Sequence, residues 1–183
     1  MKRLLDLLVS VPMLILTAPI VLLCCLLIRL DSPGNAIFSQ TRVGQHRRTF
    51  TLYKLRTMAK DTGDRASHET GSDKITKIGS FLRWSKLDEL PQLYNVVRGD
   101  MSLVGPRPCL PVQTELIEAR EALGVHAAKP GITGPAALAG IDMSTPQKLA
   151  EADANYVRDI GLGSDLKFLF ATLFKGKGDA VKR

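Results

Sequence analysis

From Leu4 to Ile28 the chain is almost wholly Leu, Ile, Val, Ala, Cys and Pro, with Lys2 and Arg3 before the run and Arg29 after it. About 25 such residues make a helix of ~37 Å, against a hydrocarbon thickness of ~30 Å, so a stretch like this enters a membrane. No small-residue cleavage site follows it, and Leu30-Asp31-Ser32-Pro33-Gly34 reads as a turn, which argues against a removable signal peptide. Pro12 and Pro19 each withdraw a backbone donor and clash with the preceding turn, so Pro19, near the middle, predicts a kink. Basic residues at both ends give the positive-inside bias no sidedness to act on. Both ends cytoplasmic, with the segment a re-entrant hairpin, suits that charge pattern; a signal anchor kinked at Pro19 is the alternative. The division expected is a membrane helix over residues 1–29 and a cytoplasmic domain over 30–183.

That second part is long enough to bury its own core. Of the three cysteines, Cys24 and Cys25 lie in the apolar run and Cys109 stands alone, which fits a reducing compartment and no disulfide framework. His46, His68 and His126 lack metal-ligand spacing, which argues against zinc. The net charge of +7 points to an anionic partner: nucleic acid, an anionic membrane surface or a phosphorylated substrate.

Alternating patterns predict strands over 36–40 and 50–55, joined near Arg42-Val43-Gly44-Gln45. Residues 59–73 read as a polar surface loop, a lid or a plain connector. Helices are expected over 75–84, over 87–97 with Asp88 as N-cap and Gly99 at the C-terminal end, over 112–123, and from Thr145-Pro146 to about 160. Lys129 to Pro135 reads as a rigid loop. Ser164 or Asp165 is expected to cap a last segment with Leu166, Phe168, Leu169, Phe170, Leu173 and Phe174, either a headgroup-level helix or an ordinary core helix. The fold class expected is α/β: a compact helix-rich domain with a small β-sheet and the N-terminal membrane helix.

Adjacent acids such as Asp88 and Glu89 at a helix start are usually accounted for by capping and the helix dipole. Their surroundings change the reading, because Arg83 lies five residues upstream, Arg107 lies in a proline-locked turn, and Lys54 and Arg56 lie on the second strand. Four segments then carry a specific likeness: YKLRTM from Tyr53, LDELPQLYNV from Leu87, GDMSLVGPRP from Gly99 and PGITG from Pro130. In this order they resemble the bacterial sugar transferase family, the small monotopic phosphoglycosyl transferases, from about Lys2 to Thr133 and more weakly beyond.

The resemblance implies a UDP-sugar donor, a polyprenyl phosphate acceptor, magnesium, and a phosphosugar carried covalently on Asp88 with release of UMP. It also implies a re-entrant helix broken near Pro19 and a location at the cytoplasmic face of the bacterial inner membrane, in contact with lipid. Two displacements then replace one difficult step. Because an anionic nucleophile approaches an anionic diphosphate, cations are needed at the phosphoryl oxygens. Glu89 suits magnesium as a hard-oxygen ligand, Arg83 and Arg107 suit bidentate phosphate binding, and Lys54, Arg56 and Lys129 supply further charge.

Three departures qualify the likeness. Ala18-Pro19 stands where the family has Ser-Pro, Lys129 stands where it often has Arg, and Pro135 to Ile141 lacks an amide and a guanidinium common there. Small apolar side chains in that last segment point to a deoxygenated or N-acetylated donor sugar. A membrane-tethered nucleic-acid binder would explain the charge, but not the paired acids, and with one Trp, three Tyr and six Phe there is little to stack bases; nucleic acid is not expected as a partner. A non-catalytic scaffold of the same fold is the other alternative.

Overall fold

A computed structural model describes residues 1–59 and 74–174. Its first element is α1 (Lys2–Asp31), 30 residues with Pro12 and Pro19 inside it, about 45 Å of helix if straight. By length and composition α1 is able to cross a membrane. Its middle displays Ile15, Leu16, Leu22 and Leu23 to the surroundings. Both ends are fastened to the remainder of the chain. At the start, Lys2 Nζ donates to Asp165 Oδ2 at 2.6 Å and to the carbonyl of Val104 at 3.0 Å. Arg3 donates to the carbonyls of Val96 and Val97, and Asp6 Oδ1 accepts from the Ser102 hydroxyl and the Leu103 amide. At the far end, Cys24 and Ile28 are buried with Ala36, Leu55 and Leu82 in one apolar cluster. α1 and the chain that follows it therefore share a core.

After the turn at Ser32 to Gly34 come β1 (Ile37–Val43) and β2 (Thr49–Leu55), an antiparallel hairpin whose register runs from Ile37 opposite Leu55 to Val43 opposite Thr49. The reversal lies at 44–48, later than the sequence suggested. His46 and Arg47 both take positive φ there, matching the right-handed twist of a tight hairpin. Met58 bridges to Ile75, so the described residues that flank this segment meet; of the expected lid or connector over 59–73, residues 60–73 lie outside the described residues.

Next is α2 (Lys77–Ser85), whose N-cap is Thr76, its hydroxyl accepting from the Gly79 amide at 2.9 Å. Gly79 itself lies against β2's exit: a Cβ there would stand 2.0 Å from the Thr57 carbonyl oxygen. Gly79→Ala therefore has to lift α2 from Thr57, and a loss of stability of about 3 kcal/mol or more is expected by chemical denaturation; a loss below 1 kcal/mol would show that this contact is soft.

Then follow α3 (Gln92–Arg98), β3 (Ser102–Val104), α4 (Thr114–Ala122), β4 (Gly131–Thr133), α5 (Pro135–Ala139), α6 (Pro146–Arg158) and α7 (Leu162–Phe174). β3 and β4 pair in parallel, Ser102 with Gly131 and Val104 with Thr133, so the strands form two two-stranded sheets among helices. The larger core joins Leu52 of β2, Leu93 and Val96 of α3, Leu103 and Val104 of β3, and Tyr156 of α6. Another joins Val43, Cys109, Leu116, Ile117, Ala136 and Leu149.

Four local expectations are corrected. Asp88 is not an N-cap: Leu87–Glu89 is a 3-10 turn, and α3 begins only after Pro91, with no side-chain cap. The expected loop from Lys129 to Pro135 contains β4 and leads into α5, because the chain at Pro130 to Thr133 finds strand partners distant in sequence. Thr145 precedes α6, but its hydroxyl turns back to the Asp142 carbonyl. The last helix starts at Leu162, where Ser164 Oγ accepts from the Gly161 amide, while Asp165 is buried against Lys2 and Tyr156. Gly99 does terminate α3, at φ 93°.

Candidate active site

Lys86 closes α2 in the left-handed region, φ 62°, its amide bonded to the Arg83 carbonyl. This sharp exit turns the Leu87–Glu89 segment across β2. Glu89 Oε1 meets Lys54 Nζ at 3.3 Å, and Arg107, from the turn after β3, approaches the same oxygen at 4.0 Å. The strand is tied to α3 by Asn95, fully buried, whose Oδ1 accepts from the Tyr53 amide and whose Nδ2 donates to the Thr51 carbonyl. The amide thus pairs the free edge of β2 as a third strand would, fixing Lys54 along the strand axis.

Asp88 differs from its neighbour. It is 8% exposed, and its Oδ1, fully enclosed, has no hydrogen-bond partner among the described residues. Burial first, and then the adjacent Glu89 charge, push its carboxyl above the ordinary value, against the opposing pull of Lys54, Lys86 and Arg83. Glu89 goes the other way. Burial works to raise it, but the charges of Lys54, Arg107 and Lys86 and the hydrogen bond from Lys54 bring it down to about 2. Burial lowers the Lys54 ammonium, while the Glu89 charge opposes that. Two adjacent carboxylates thus have opposite characters: one neutralised and fixed, the other enclosed and poorly compensated. An anion that its surroundings stabilise little is the better nucleophile, whereas one locked in an ion pair is better as a ligand or an orienting group.

A stability test follows from the signs. Asp88, whose carboxyl is raised in the fold, destabilises it at neutral pH and ceases to do so as the pH falls through its folded value; Glu89 contributes stability above its ordinary 4.5 that is lost as the pH falls toward 2. Asp88→Asn is therefore expected to be more stable than the parent by ~1 kcal/mol at pH 7, with the difference gone below the ordinary Asp value of about 3.9. Thermal melts at both pH values check it, and a variant less stable at pH 7 would contradict the assignment.

Of the residues singled out from sequence, Lys54, Arg83, Asp88, Glu89 and Arg107 come together. Arg83 Nε donates to the Thr57 hydroxyl at 2.9 Å, and its charge acts on Asp88. Arg56 is used elsewhere: its guanidinium donates to the carbonyls of Ser32 and Pro33 and to the Ser32 hydroxyl, closing the C-terminal end of α1. Its place two residues after Lys54 suggested phosphate binding beside it, but alternating side chains put Lys54 and Arg56 on one face only if the strand continues, and β2 ends at Leu55. Lys129 Nζ lies beside Gly99, next to the Arg3 guanidinium, both 3.5 Å from where a Cβ on Gly99 would stand. Lys86 was not foreseen, because a lysine at a helix end reads as a surface cation. Asn95 sits inside a quoted motif, yet nothing in its type signals that it ties a helix to a strand edge.

Residues 1–177 match the sequence profile of the family described as bacterial sugar transferase. A UDP-glucose:undecaprenyl-phosphate glucose-1-phosphate transferase of Caulobacter vibrioides is 42% identical over 94% of this chain and 68% of its own length. The exopolysaccharide production protein PSS of Rhizobium leguminosarum bv. phaseoli is 37% identical over 97% of this chain and 98% of its own. A UDP-N-acetylgalactosamine-undecaprenyl-phosphate N-acetylgalactosaminephosphotransferase of Aeromonas hydrophila is 33% identical, over 94% of this chain and 42% of its own. The chain spans only part of the length of several such relatives, 40% in the case of the glucose-1-phosphate transferase of Escherichia coli strain K12. With the profile covering nearly the whole chain, and with relatives 42% and 37% identical that the chain covers to 68% and 98% of their length, the chain belongs to the bacterial sugar transferase family.

Proposed function

We propose that this chain transfers a sugar-1-phosphate from a UDP-sugar to undecaprenyl phosphate, releasing UMP, through a phosphosugar bonded to Asp88. The names of the relatives support the reaction type, and the observation that carries the route is the contrast between the enclosed, unpartnered Asp88 oxygen and the ion-paired Glu89 beside it. An Asp88 oxygen attacks the sugar-bearing phosphorus and the bond to the UMP oxygen breaks; the lipid phosphate oxygen then attacks the same phosphorus, and Asp88 leaves as a carboxylate. Arg107 and Lys54 sit where phosphoryl oxygens gain charge, and Arg83 and Lys86 add to the positive field around Asp88.

The residues present fit magnesium held jointly with substrate. Glu89 is an ionised hard-oxygen donor, and among the described residues no group of three metal-ligating side chains exists, so most positions would fall to the donor's diphosphate and water, as is usual for this ion. Bound there it would neutralise diphosphate charge and favour departure of UMP. The chain's own contribution is to hold Glu89 ionised and aimed.

The membrane reading follows α1. Its first turns and its last turns both bond to one domain, through Lys2 with Asp165 and through Arg56 with Ser32, and one folded domain lies on one side of a bilayer. This favours a re-entrant helix with both ends cytoplasmic, at the inner membrane, which places the site at the depth of a lipid phosphate. A tag on Met1 labelled only from outside the cell would overturn it.

The reaction is tested by supplying a panel of UDP-sugars with undecaprenyl phosphate and magnesium. Release of UMP from at least one donor is expected, dependent on magnesium and on the acceptor for sustained turnover. Absence of UMP release across glucose, galactose and their N-acetylated and deoxygenated forms would sink the proposal. The relatives' names include two different sugars, so the panel also decides the donor.

A further inference from the structure

Arg107 is half exposed, with its guanidinium 4.0 Å from Glu89, and long exposed arginines do not aim themselves. Its backbone is held from behind. Arg120 of α4, 2% exposed, donates from Nη1 to the Arg107 carbonyl at 2.9 Å. The opposite edge of the same guanidinium is held by Asp153 of α6, where Nε and Nη2 both donate to Oδ2, at 3.1 and 2.6 Å. Asp153 is fully buried, and its Oδ1 has no partner among the described residues. A buried ion pair with an idle oxygen is a poor stabiliser, since similar pairs are commonly replaced by apolar side chains with little loss or a gain. What this pair does that an apolar pair cannot is fix one carbonyl. The remainder of the turn is pinned on its other sides: the Gly131 amide donates to the Pro106 carbonyl, Gly105 donates to Thr133, and Arg42 donates to the Pro108 carbonyl. Only Arg120 reaches the carbonyl of Arg107 itself among the hydrogen bonds of the described residues.

We infer that Arg120, oriented by Asp153, is a positioning residue that sets Arg107 for the phosphate of the substrate; this rests on the transfer reaction proposed above. The pair lies on α4 and α6, so helices remote in sequence from both carboxylates take part in aiming a cation at them.

The experiment is a mutant cycle on kcat/KM for UMP release, joined to hydrogen exchange over residues 105–110. Arg120→Met with Asp153→Leu removes the ion pair at similar volume. It is expected to lower kcat/KM by roughly 30- to 100-fold, the scale of a misplacement of about 1 Å, yet by less than about threefold in an Arg107→Ala background, because additivity fails for residues acting through one another. Exchange in 105–110 should quicken about tenfold, with α6 and the β1–β2 hairpin unchanged. Arg120→Lys, which keeps a charge for Asp153 but cannot bond on two opposite edges at once, should not rescue activity; rescue by Lys would assign the pair a purely structural role. Equal losses in both backgrounds, or unchanged exchange in the turn, would overturn the inference. Should the apolar pair fail to fold, Arg120→Lys carries the same cycle. If the parent protein released no UMP from any donor while the exchange result held, the reaction would be at fault and the mechanical coupling would stand.

Discussion

Asp88→Asn is expected to reduce UMP release by at least about 10⁴-fold, the scale seen when a covalent nucleophile is removed, while leaving the protein folded. Size and hydrogen-bonding shape barely change in this variant. What disappears is the lone-pair donor that attacks phosphorus, since an amide oxygen is a far weaker nucleophile than a carboxylate that its surroundings stabilise poorly. The enclosure of Asp88, 8% exposed with one oxygen unpartnered among the described residues, is what makes the comparison clean, because what is lost with the charge is the pull of Lys54, Lys86 and Arg83, which burial and the Glu89 charge already outweigh. Steady-state UMP release checks it; a variant within tenfold of the parent would mean that position 88 orients or binds and that the nucleophile is elsewhere.

Lys54→Met should have the next largest effect, a loss of roughly 10²- to 10³-fold in kcat, comparable to removing a charge stabiliser aimed at a transition state. The sign of the accompanying pH change is fixed by the causes already named. Burial raises the Glu89 carboxyl, and the Lys54 charge is the largest opposing influence. Without it the Glu89 value climbs, so the activity that remains should fall off at higher pH on the acid side than in the parent. Arg107 and Lys86 still act on Glu89, so some holding of the ionised form persists. A variant that lost activity with an unshifted acid limb would show that Lys54 serves the substrate alone; one within threefold of the parent would remove Lys54 from the site.

Much of this site could be read from residue order, and the reasons differ by residue. The hairpin, α2, α4 and α6 were legible because their patterns have the period of the element, and boundary signals helped, with Pro146 marking the start of α6 and Gly99 the end of α3. Lys54 and Arg107 could be placed near Asp88 and Glu89 because four motif segments in one order implied one site, and Arg83 because it lies five residues before Asp88. The contacts of Arg56 could not be foreseen in the same way, since the Ser32 and Pro33 carbonyls that its guanidinium meets become visible only once the end of α1 is placed against β2. Asp88 read as an N-cap from type and position. The 3-10 turn that replaces the cap follows from the left-handed Lys86 and from Pro91, whose missing amide delays the start of α3. The short parallel pairing of β3 with β4 joins Ser102 to Gly131 across a helix, and neither three-residue strand has a period long enough to announce itself. Arg120 and Asp153 are ordinary helix-surface types; only their burial against each other gives them a role.

The first helix shows the same division. Its apolar length was unmistakable, whereas the attachment of its start depends on Lys2, Arg3 and Asp6, charged residues to which a hydropathy pattern gives no role, and that of its far end on Cys24 and Ile28 packing against Ala36, Leu55 and Leu82. Paired with Asp165, the α3 carbonyls and Ser102, the three charged residues are contacts between the start of the helix and the folded domain, and Lys2 ties α1 to α7 directly.

The covalent route is tested most directly by mass. Purified protein mixed with its UDP-sugar and magnesium, with acceptor withheld, should gain the mass of one phosphosugar, on the peptide that contains Asp88, and should lose it when undecaprenyl phosphate is added. If the protein sustained UMP release with acceptor present yet never carried that mass, the sugar phosphate would be passing from donor to lipid in a single displacement, and Asp88 would not be the nucleophile.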